Sequence, residues 1–332
     1  MNCWITRRLG ECGAVMGLAL VVGGVSTAWA HTGFLVDPRA ETMIDELAAD
    51  GLDAEQLRVW LGQGEYLETT RSNIAAPRER TVTWADYRPL FVNDLSVERG
   101  RAFIAENAEA LQRAEEEFGV DRRVIAAIIG VETRYGRLTG NHRVFNAIGT
   151  TAFSDSARAD YFQREMKAFL RLVSEEGVDP LELTGSYAGA MGVPQFMPSS
   201  FLAYAVDFNG DGHRDIWSST EDAIGSVANY LARHNWELDG PVVDRAHVSG
   251  ERFAEQVDNR QRRPHTPVSQ TLEMGWSPVN PLDTNERLAS TFRLDGDMGA
   301  EFWYGFQNLY VITRYNHSFM YAMAVHQLSQ EF

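Results

Sequence analysis

The sequence has little cysteine, no excess of positive charge and no hydrophobic run long enough to span a bilayer. Its two cysteines, Cys3 and Cys12, lie within the first twelve residues, so disulfide bonds cannot stabilise the rest of the chain. The formal net charge is -16. This charge argues against nucleic acid and against an anionic membrane surface, because both attract clustered Lys and Arg. With 44% hydrophobic residues among 332, the chain is predicted to be stabilised by a packed core.

The first thirty residues have the pattern of a secretory signal peptide. Arg7 and Arg8 precede a small, apolar stretch at 14–25, and Ala28-Trp29-Ala30 supplies small residues for cleavage. The alternative is a membrane anchor, but the apolar run is shorter than the ~20 residues that a bilayer requires. Both cysteines precede the apolar run, whereas a lipid-modified cysteine would follow it. We expect an exported, soluble chain without an acyl anchor, with a net charge of -17 once two arginines and one glutamate are removed.

Several common catalytic patterns are also missing. No Ser–His–Asp arrangement, P-loop or zinc-ligand spacing occurs in the sequence. His142 and His317 could act as bases, but neither has a serine or cysteine partner in a recognisable turn.

The hydrophobic spacing predicts a chain that is mainly helical. Helix starts are predicted at Asp37-Pro38 and Asp53. A loop is expected from Thr69 to Arg80, and Ser96 is expected to cap a long helix that closes at Gly119. Short apolar runs among Gly, Pro and Asp predict a β-rich module at 238–312 that includes Tyr310–Thr313. A final helix is predicted from Ser318 to Gln330, with Tyr321, Ala324 and Leu328 on its inner face.

Glu132 is the first candidate catalytic residue. It directly follows the apolar helical segment Val124–Val131, and a carboxyl group at such a position is partly removed from water. Desolvation raises the pKa of a carboxyl group, which lets it donate a proton near neutral pH. The alternative is a structural glutamate that pairs with Arg134 or Arg137, and the spacing alone does not separate the two hypotheses.

A glycine-rich segment from Gly185 to Pro198 is the second candidate. Its small residues let a ligand approach the backbone, Ser186 and Gln195 offer hydrogen bonds, and Tyr187, Met191 and Phe196 offer apolar contact. A sugar suits this mixture of polar and flat apolar surface. The alternative is a tight turn between helices with core aromatic residues.

The segment from Asp207 to Ser218 begins like an EF-hand calcium loop. Asp207, Asn209 and Asp211 would give side-chain oxygens and His213 a backbone carbonyl, with Gly212 at the sharp turn. The closing acidic ligand is replaced by Ser218, and Asp215 is the residue that could compensate. We expect a structural calcium site of modest affinity rather than a metal-free turn.

Aromatic residues cluster towards the end of the chain. They include Phe302-Trp303-Tyr304, Tyr310, Tyr315 and Tyr321, with Asn316 beside Tyr315. Such a cluster suits sugar binding, but on its own it is better explained by an ordinary core with satisfied hydroxyl groups.

Together these segments resemble the lytic murein transglycosylases of the B type. The resemblance is carried by Gly130–Arg137, Gly185–Ser200, the Asp207 loop and Ile312–Ser318, in that order. It runs from about Phe34 to the C-terminus.

The resemblance implies an α+β fold that is mainly α: a lysozyme-like helical core with a flanking helical domain and a small β-rich domain. The expected divisions are a signal peptide at 1–30, a helical domain at 31–118, the core at 119–237, the β-rich domain at 238–312 and a terminal helix at 313–332.

The resemblance also places the catalytic acid and base at Glu132 and implies no catalytic cofactor. Its substrate-groove positions are Tyr87, Arg158, Tyr161, Ser186, Met191, Gln195, Phe196, Tyr230, Tyr315, Asn316 and Tyr321. The family often has two adjacent arginines where this chain has Ala157 and Arg158. It also has an acidic residue where Ser218 stands, and this chain carries one extra residue before Asp222.

The implied reaction is cleavage of the β-1,4 bond between N-acetylmuramic acid and N-acetylglucosamine in bacterial peptidoglycan, leaving 1,6-anhydromuramoyl ends. Peptidoglycan strands are the expected partner, other cell-wall enzymes are further candidate partners, and the periplasm is the expected compartment. Alternatives are a muramidase of the same fold that uses water, a non-catalytic peptidoglycan-binding protein, and a calcium-dependent structural protein.

Overall fold

The computed structural model describes residues 32–75 and 82–332. The predicted signal peptide and its cysteines lie outside the described residues. Among those described, no helix is long and apolar enough to cross a bilayer.

The N-terminal part consists of short helices that begin at side-chain caps. Asp37 accepts a hydrogen bond from the Arg39 backbone N–H, and Asp53 accepts from those of Glu55 and Gln56, which confirms both predicted starts. The helices are α1 (Pro38–Ala49), α2 (Ala54–Gly62), α3 (Glu68–Ala75), α4 (Trp84–Tyr87), α5 (Asp94–Glu106) and α6 (Ala108–Phe118).

Three local predictions in this region are wrong. Residues 68–75 form α3, although a loop was expected from Thr69 to Arg80, whose part at 76–80 lies outside the described residues. Asn93, and not Ser96, caps α5 by accepting from the Ser96 backbone N–H at 3.0 Å. The expected long helix is interrupted at Asn107, whose side chain bonds back to the Phe103 carbonyl. A local side-chain bond of this kind competes with helix continuation.

A central helix, α7 (Arg122–Thr133), carries the candidate Glu132. Every residue from Val124 to Val131 is buried because α5, α6, α11 and α14 all pack around it. The surrounding elements of the core are α8 (Val144–Ala152), α9 (Ala159–Glu176), α10 (Pro198–Tyr204), α11 (Thr220–Arg233) and the short strands β1 (His142–Arg143) and β2 (Thr184–Gly185).

The β-rich module is a five-stranded antiparallel sheet in the order β4-β6-β7-β3-β5. Its elements are β3 (Val243–Val248), β4 (Thr266–Pro267), α12 (Val268–Leu272), β5 (Trp276–Pro278), β6 (Leu288–Gly296) and β7 (Gly299–Gly305). Trp276, Tyr304 and Phe306 belong to a small core of its own, whereas Phe292 and Leu294 of β6 join the main helical core.

The expected strand at Tyr310–Thr313 is wrong, because these residues lie within α13 (Gln307–Tyr315). Buried Leu309 and Ile312 form its inner face, and Asn308 accepts from the Glu237 backbone N–H at 2.8 Å. The last helix, α14 (Phe319–Ser329), confirms the prediction, with Tyr321, Ala324 and Leu328 buried. The fold class is confirmed: the chain is mainly helical with one small antiparallel sheet.

Candidate active site

Glu132 lies in the last turn of α7, where the helix ends in two left-handed residues. Arg134 has a φ of 54° and Tyr135 a φ of 62°, a conformation that costs energy in residues other than glycine and that is enriched at functional sites. The Glu132 side chain is half-buried. The Tyr321 hydroxyl of α14 donates a hydrogen bond to its Oε1 at 2.6 Å.

Burial raises the pKa of Glu132 to about 7, and the hydrogen bond from Tyr321 opposes the rise. Desolvation destabilises the carboxylate more than this single hydrogen bond stabilises it. The carboxyl group is therefore divided between its acid and base forms near neutral pH, which is the condition that a residue acting in both roles requires.

The alternative, that Glu132 pairs with an arginine, is not what the structure contains. Arg134 turns away and donates to the Leu90 carbonyl at 2.7 Å and to Ser96 Oγ at 3.3 Å. Arg137 is exposed. Within the described ranges, no ion pair includes Glu132.

Three tyrosines on separate helices, α4, α13 and α14, lie near the carboxyl group. Burial raises the pKa of Tyr87, Tyr315 and Tyr321, and the negative charge of Glu132 contributes to each rise. Their hydroxyl groups therefore stay protonated and remain hydrogen-bond donors. The Tyr315 hydroxyl donates a hydrogen bond to the Pro194 carbonyl at 2.7 Å. This bond connects α13 to the glycine-rich segment.

The glycine-rich segment packs directly on the residues that follow Glu132. Thr133 Oγ1 donates to the Val193 carbonyl at 2.9 Å, and Gln195 Nε2 donates to the Thr139 carbonyl at 3.0 Å. Gly140, at φ +93°, lies so close to Gly185 that an added Cβ would stand 2.1 Å from its carbonyl oxygen. Only glycine permits this approach, so the segment is fixed beside the candidate acid.

The two polar candidates in this segment keep part of their hydrogen-bonding capacity. Ser186 Oγ accepts from the Ala190 backbone N–H at 3.0 Å, which leaves its own proton to donate. Gln195 also bonds Gly192 O through Nε2, at 2.9 Å. Because this amide nitrogen serves two backbone carbonyls, only the Oε1 oxygen of Gln195 can face a ligand.

Several predicted groove residues are buried and shape the site from behind. Met191, Phe196 and Tyr230 are 0%, 2% and 7% exposed. The Tyr230 ring lies 5.7 Å from Phe196 and 4.8 Å from Tyr315, centroid to centroid. Phe196 and Tyr230 pack against Tyr315, and none of the three side chains offers a large apolar surface to a ligand.

Three other predicted residues make their contacts elsewhere. Arg158 lies exposed at the start of α9, with its guanidinium over the rings of Tyr161 and Phe162. Tyr161 contacts Glu165. Asn316 is exposed, and its backbone carbonyl accepts from Ser318 N–H at 2.7 Å.

The 207–218 loop is folded by its own backbone. Asp207 accepts from the N–H groups of Gly210, Asp211 and Gly212, as the first half of a cation-binding loop would. In the second half Asp215 accepts from Ser218 Oγ instead of closing the loop. Across residues 32–75 and 82–332, no three His, Cys, Asp or Glu side chains converge to hold a metal.

Sequence reasoning did not identify Asp222 as the residue that organises this loop. Asp222, on α11, is fully buried and accepts from the backbone N–H groups of Phe208, Asn209 and Asp215. Sequence reasoning also missed Thr133 and Glu165. Glu165 is buried and holds the start of α10 through Ser199. Their signal was a polar residue on an otherwise apolar helix face.

Comparison with known proteins supports one family. Residues 36–330 match the transglycosylase SLT domain family. The chain is 41% identical over 307 residues to the membrane-bound lytic murein transglycosylase B of Escherichia coli, covering 90% of this chain and 83% of the relative.

Solved structures agree with this match. The catenated lytic transglycosylase SltB1 from Pseudomonas aeruginosa is 46% identical with a TM-score of 0.85, covering 89% of this chain and 96% of that one. The Escherichia coli lytic transglycosylase Slt35 in complex with calcium is 41% identical with a TM-score of 0.82, over 90% and 94%. SltB3 from Pseudomonas aeruginosa, solved with NAG-anhNAM-pentapeptide, is 28% identical with a TM-score of 0.79, over 90% and 78%.

Proposed function

The chain belongs to the lytic murein transglycosylases of the SLT domain family, and on this basis we propose that Glu132 is its single acid and base. The observation that carries the proposal is the half-buried carboxyl group with a pKa of about 7, hydrogen-bonded to Tyr321 at 2.6 Å. The paired carboxylates of ordinary glycosidases are not needed when one group performs both proton transfers.

The proposed reaction has two proton transfers. Protonated Glu132 gives its proton to the oxygen between N-acetylmuramic acid and N-acetylglucosamine, and the bond from the muramoyl C1 to that oxygen breaks. The acetamido group of the substrate stabilises the positive charge at C1. The Glu132 carboxylate then takes the proton of the muramoyl C6 hydroxyl, whose oxygen bonds to C1. The products are a 1,6-anhydromuramoyl end and a free N-acetylglucosamine hydroxyl, and no water is consumed.

The neighbouring residues are assigned supporting roles. Tyr321 is proposed to stabilise the carboxylate after the first proton transfer, because its hydroxyl donates to Oε1. Ser186, through its proton, or Gln195, through Oε1, is proposed to orient the acetamido group. Tyr87, Arg158, Tyr161, Tyr315 and Asn316 are proposed to contact the strand, and Met191, Phe196 and Tyr230 to support the groove from behind.

The test is to digest purified peptidoglycan with the mature protein, the Glu132→Gln variant and an exposed control, Glu117→Gln. We expect anhydromuramoyl products from the wild type and the control, and a loss of at least about a hundredfold in rate from Glu132→Gln. Products heavier by one water would identify a muramidase. Unchanged clearing by Glu132→Gln would contradict the assignment of the catalyst.

We also propose that the 207–218 loop binds calcium weakly, through Asp207, Asn209, Asp211, the His213 carbonyl and Asp215. The support is the folded first half of the loop and the calcium complex of the Escherichia coli relative. The binding is weak because Asp215 must first leave Ser218. We expect Tm to rise only at calcium concentrations of about 10⁻⁴ to 10⁻³ M. Magnesium is the control, and Asp211→Asn should abolish the rise. An equal rise in that variant would contradict this site.

The finer assignments of location and domain division are further proposals. We propose that the chain is exported to the periplasm after cleavage behind Ala30, which N-terminal sequencing of the secreted protein would check. The domain divisions at 118 and 237 are proposed as functional units. A border at 312 would cut through α13, so we propose to move it to the end of β7.

A further inference from the structure

A cleft of about 260 Å³ lies beside the Glu132 site, and it was not part of the predicted groove. It is lined by residues from the start of α4, the start of α14 and the loop at 258–263. Thr83, Trp84, Arg262, Arg293, His317 and Phe319 are among its lining residues. We call it the Arg262 cleft.

Both walls of the Arg262 cleft contact tyrosines that lie near Glu132. On one wall, Ser318 caps α14 by accepting from the Tyr321 backbone N–H, and Tyr321 contacts Glu132. On the other wall, the Trp84 ring stacks with Tyr87 at 6.4 Å between centroids. Each wall is therefore separated from the tyrosines around Glu132 by about one helical turn, which is ~5 Å.

The cleft is cationic although the chain is strongly acidic. Arg293 forms an ion pair with Asp295 at 2.6 Å, so its charge is largely balanced. None of the ion pairs within the described ranges involves Arg262. Its Nη1 donates to the Arg260 carbonyl at 3.2 Å, while its Nε is buried without a hydrogen-bond partner. No ion pair among the described residues balances the guanidinium charge of Arg262, and a carboxylate bound in the cleft would balance it.

The backbone that presents Arg262 is fixed before any ligand arrives. Asp258 N–H donates to the Thr291 carbonyl at 3.0 Å, and the Asn259 side chain bonds both the N–H and the carbonyl of Arg293 at 2.9 Å. Asp258 also accepts from the Arg260 and Gln261 backbone N–H groups. A fixed loop loses little conformational freedom on binding, which favours affinity.

His317 completes the polar lining without adding a charge. Burial lowers its pKa, and the positive charges of Arg314 and Arg262 lower it further. The positive charge near the cleft therefore comes from Arg262 and Arg314, and neutral His317 offers a hydrogen bond. Asp295 is the acidic side chain of the lining, and its charge is balanced by the ion pair with Arg293.

We propose that the Arg262 cleft binds a free carboxylate of the peptide stem on the muramoyl residue, with Arg262 as the main ligand. This inference rests on the proposed function. The glycan backbone of peptidoglycan is uncharged, so its carboxylates belong to the stems. An extended peptide spans ~3.5 Å per residue, so a stem that starts at the sugar beside Glu132 reaches the cleft within a few residues. A planar guanidinium recognises a carboxylate well.

The test compares two substrates: glycan strands whose stems carry free carboxylates, and the same strands after chemical amidation of those carboxylates. We expect Arg262→Gln to raise KM about tenfold on the strands with free carboxylates, which corresponds to about 1.4 kcal/mol, with kcat unchanged. On the amidated strands, Arg262→Gln should equal the wild type. Added salt should reduce the difference between the substrates.

The matched control is Arg263→Gln, an exposed arginine of the same loop, which should behave as wild type on both substrates. If Arg262→Gln raised KM equally on both substrates, or on neither, the inference would be overturned. Anhydro products from the wild type would still uphold the proposed function. A wild type that forms no anhydro products from either substrate would overturn both.

Discussion

At the scale of single residues, the chemistry depends on the balance around one carboxyl group. Burial stabilises the protonated form of Glu132 and Tyr321 stabilises the ionised form. The two effects leave a pKa of about 7, so the same group can give a proton and take one back.

Removing the tyrosine hydroxyl should disturb this balance in a known direction. The Tyr321→Phe variant loses the bond that lowers the pKa of Glu132, so that pKa rises and the protonated acid persists to higher pH. We expect the alkaline limb of the pH profile of kcat/KM to move to higher pH and the maximal rate to fall about tenfold, as loss of a hydrogen bond to a charged group implies.

Tyr204→Phe is the matched control, because that ring packs on Tyr230. Its alkaline limb should stay at the wild-type position. An alkaline limb of Tyr321→Phe that stays in place or moves down would mean that Glu132 is not the group that titrates.

The same carboxyl group should make stability depend on pH. Its pKa is about 7 when folded and 4.5 in the reference state, so the unfolded chain loses this proton first as pH rises. The destabilising contribution is absent below about pH 4.5, grows between 4.5 and 7, and is complete above 7. Glu132→Gln should therefore increase the free energy of unfolding at pH 8 by about 2 kcal/mol.

Urea unfolding of the two proteins at pH 4 and pH 8 measures this difference. The gain should vanish at pH 4. A gain of equal size at both pH values would instead indicate better packing of the amide.

At the scale of elements, the site depends on close contact between two loops. The turn after α7 and the glycine-rich segment meet at Gly140 and Gly185, and the bonds of Thr133 and Gln195 fix the register of this contact. Side-chain hydrogen bonds to backbone carbonyls join residues 56 and 60 positions apart along the chain, and a side chain at Gly140 would separate the two loops.

Gly140→Ala should therefore be costly. Its Cβ would stand 2.1 Å from the Gly185 carbonyl oxygen, so the loops must separate as well as bear the strain of positive φ. We expect a loss of about 3 kcal/mol in stability and a large loss of activity. Gly119→Ala is the control, because it has a φ of +66° but no atom within 4 Å of the added Cβ.

Denaturant unfolding and turnover assays check both variants. The control should lose only about 1 kcal/mol and keep its turnover. Equal losses in the two variants would show that backbone strain alone, and not loop contact, explains the effect.

At the scale of the whole molecule, the sheet is joined to the helical core through β6. The rings of Phe292 and Phe319 stack at 4.0 Å with an angle of 3° between their planes. Phe319 is the first residue of α14, the helix that carries Tyr321. The sheet therefore helps to fix the position of the tyrosine that contacts Glu132.

Phe292→Ala should lower stability by about 3–5 kcal/mol and also lower kcat/KM at a temperature at which it is folded, because α14 loses its support. Trp276→Ala is the control: it empties the small core of the sheet, with a similar cost in stability. Melting curves and turnover assays separate the two, since Trp276→Ala should keep the activity of its folded fraction. Unchanged turnover in folded Phe292→Ala would contradict this coupling.

The sequence alone determined the family, the fold class, Glu132 as candidate acid and most helix positions, because these follow from local patterns of charge, glycine and apolar spacing. It could not determine which residues become partners across the chain. The segment Tyr310–Thr313, expected to be a strand, is helical because its apolar face is buried against the core. Asp215 binds Ser218 because the closing half of the loop forms its hydrogen bonds internally. Only the tertiary structure brought Tyr87, Tyr315 and Tyr321 around Glu132. It thereby decided the pKa of that carboxyl group, since desolvation depends on every element packed around it.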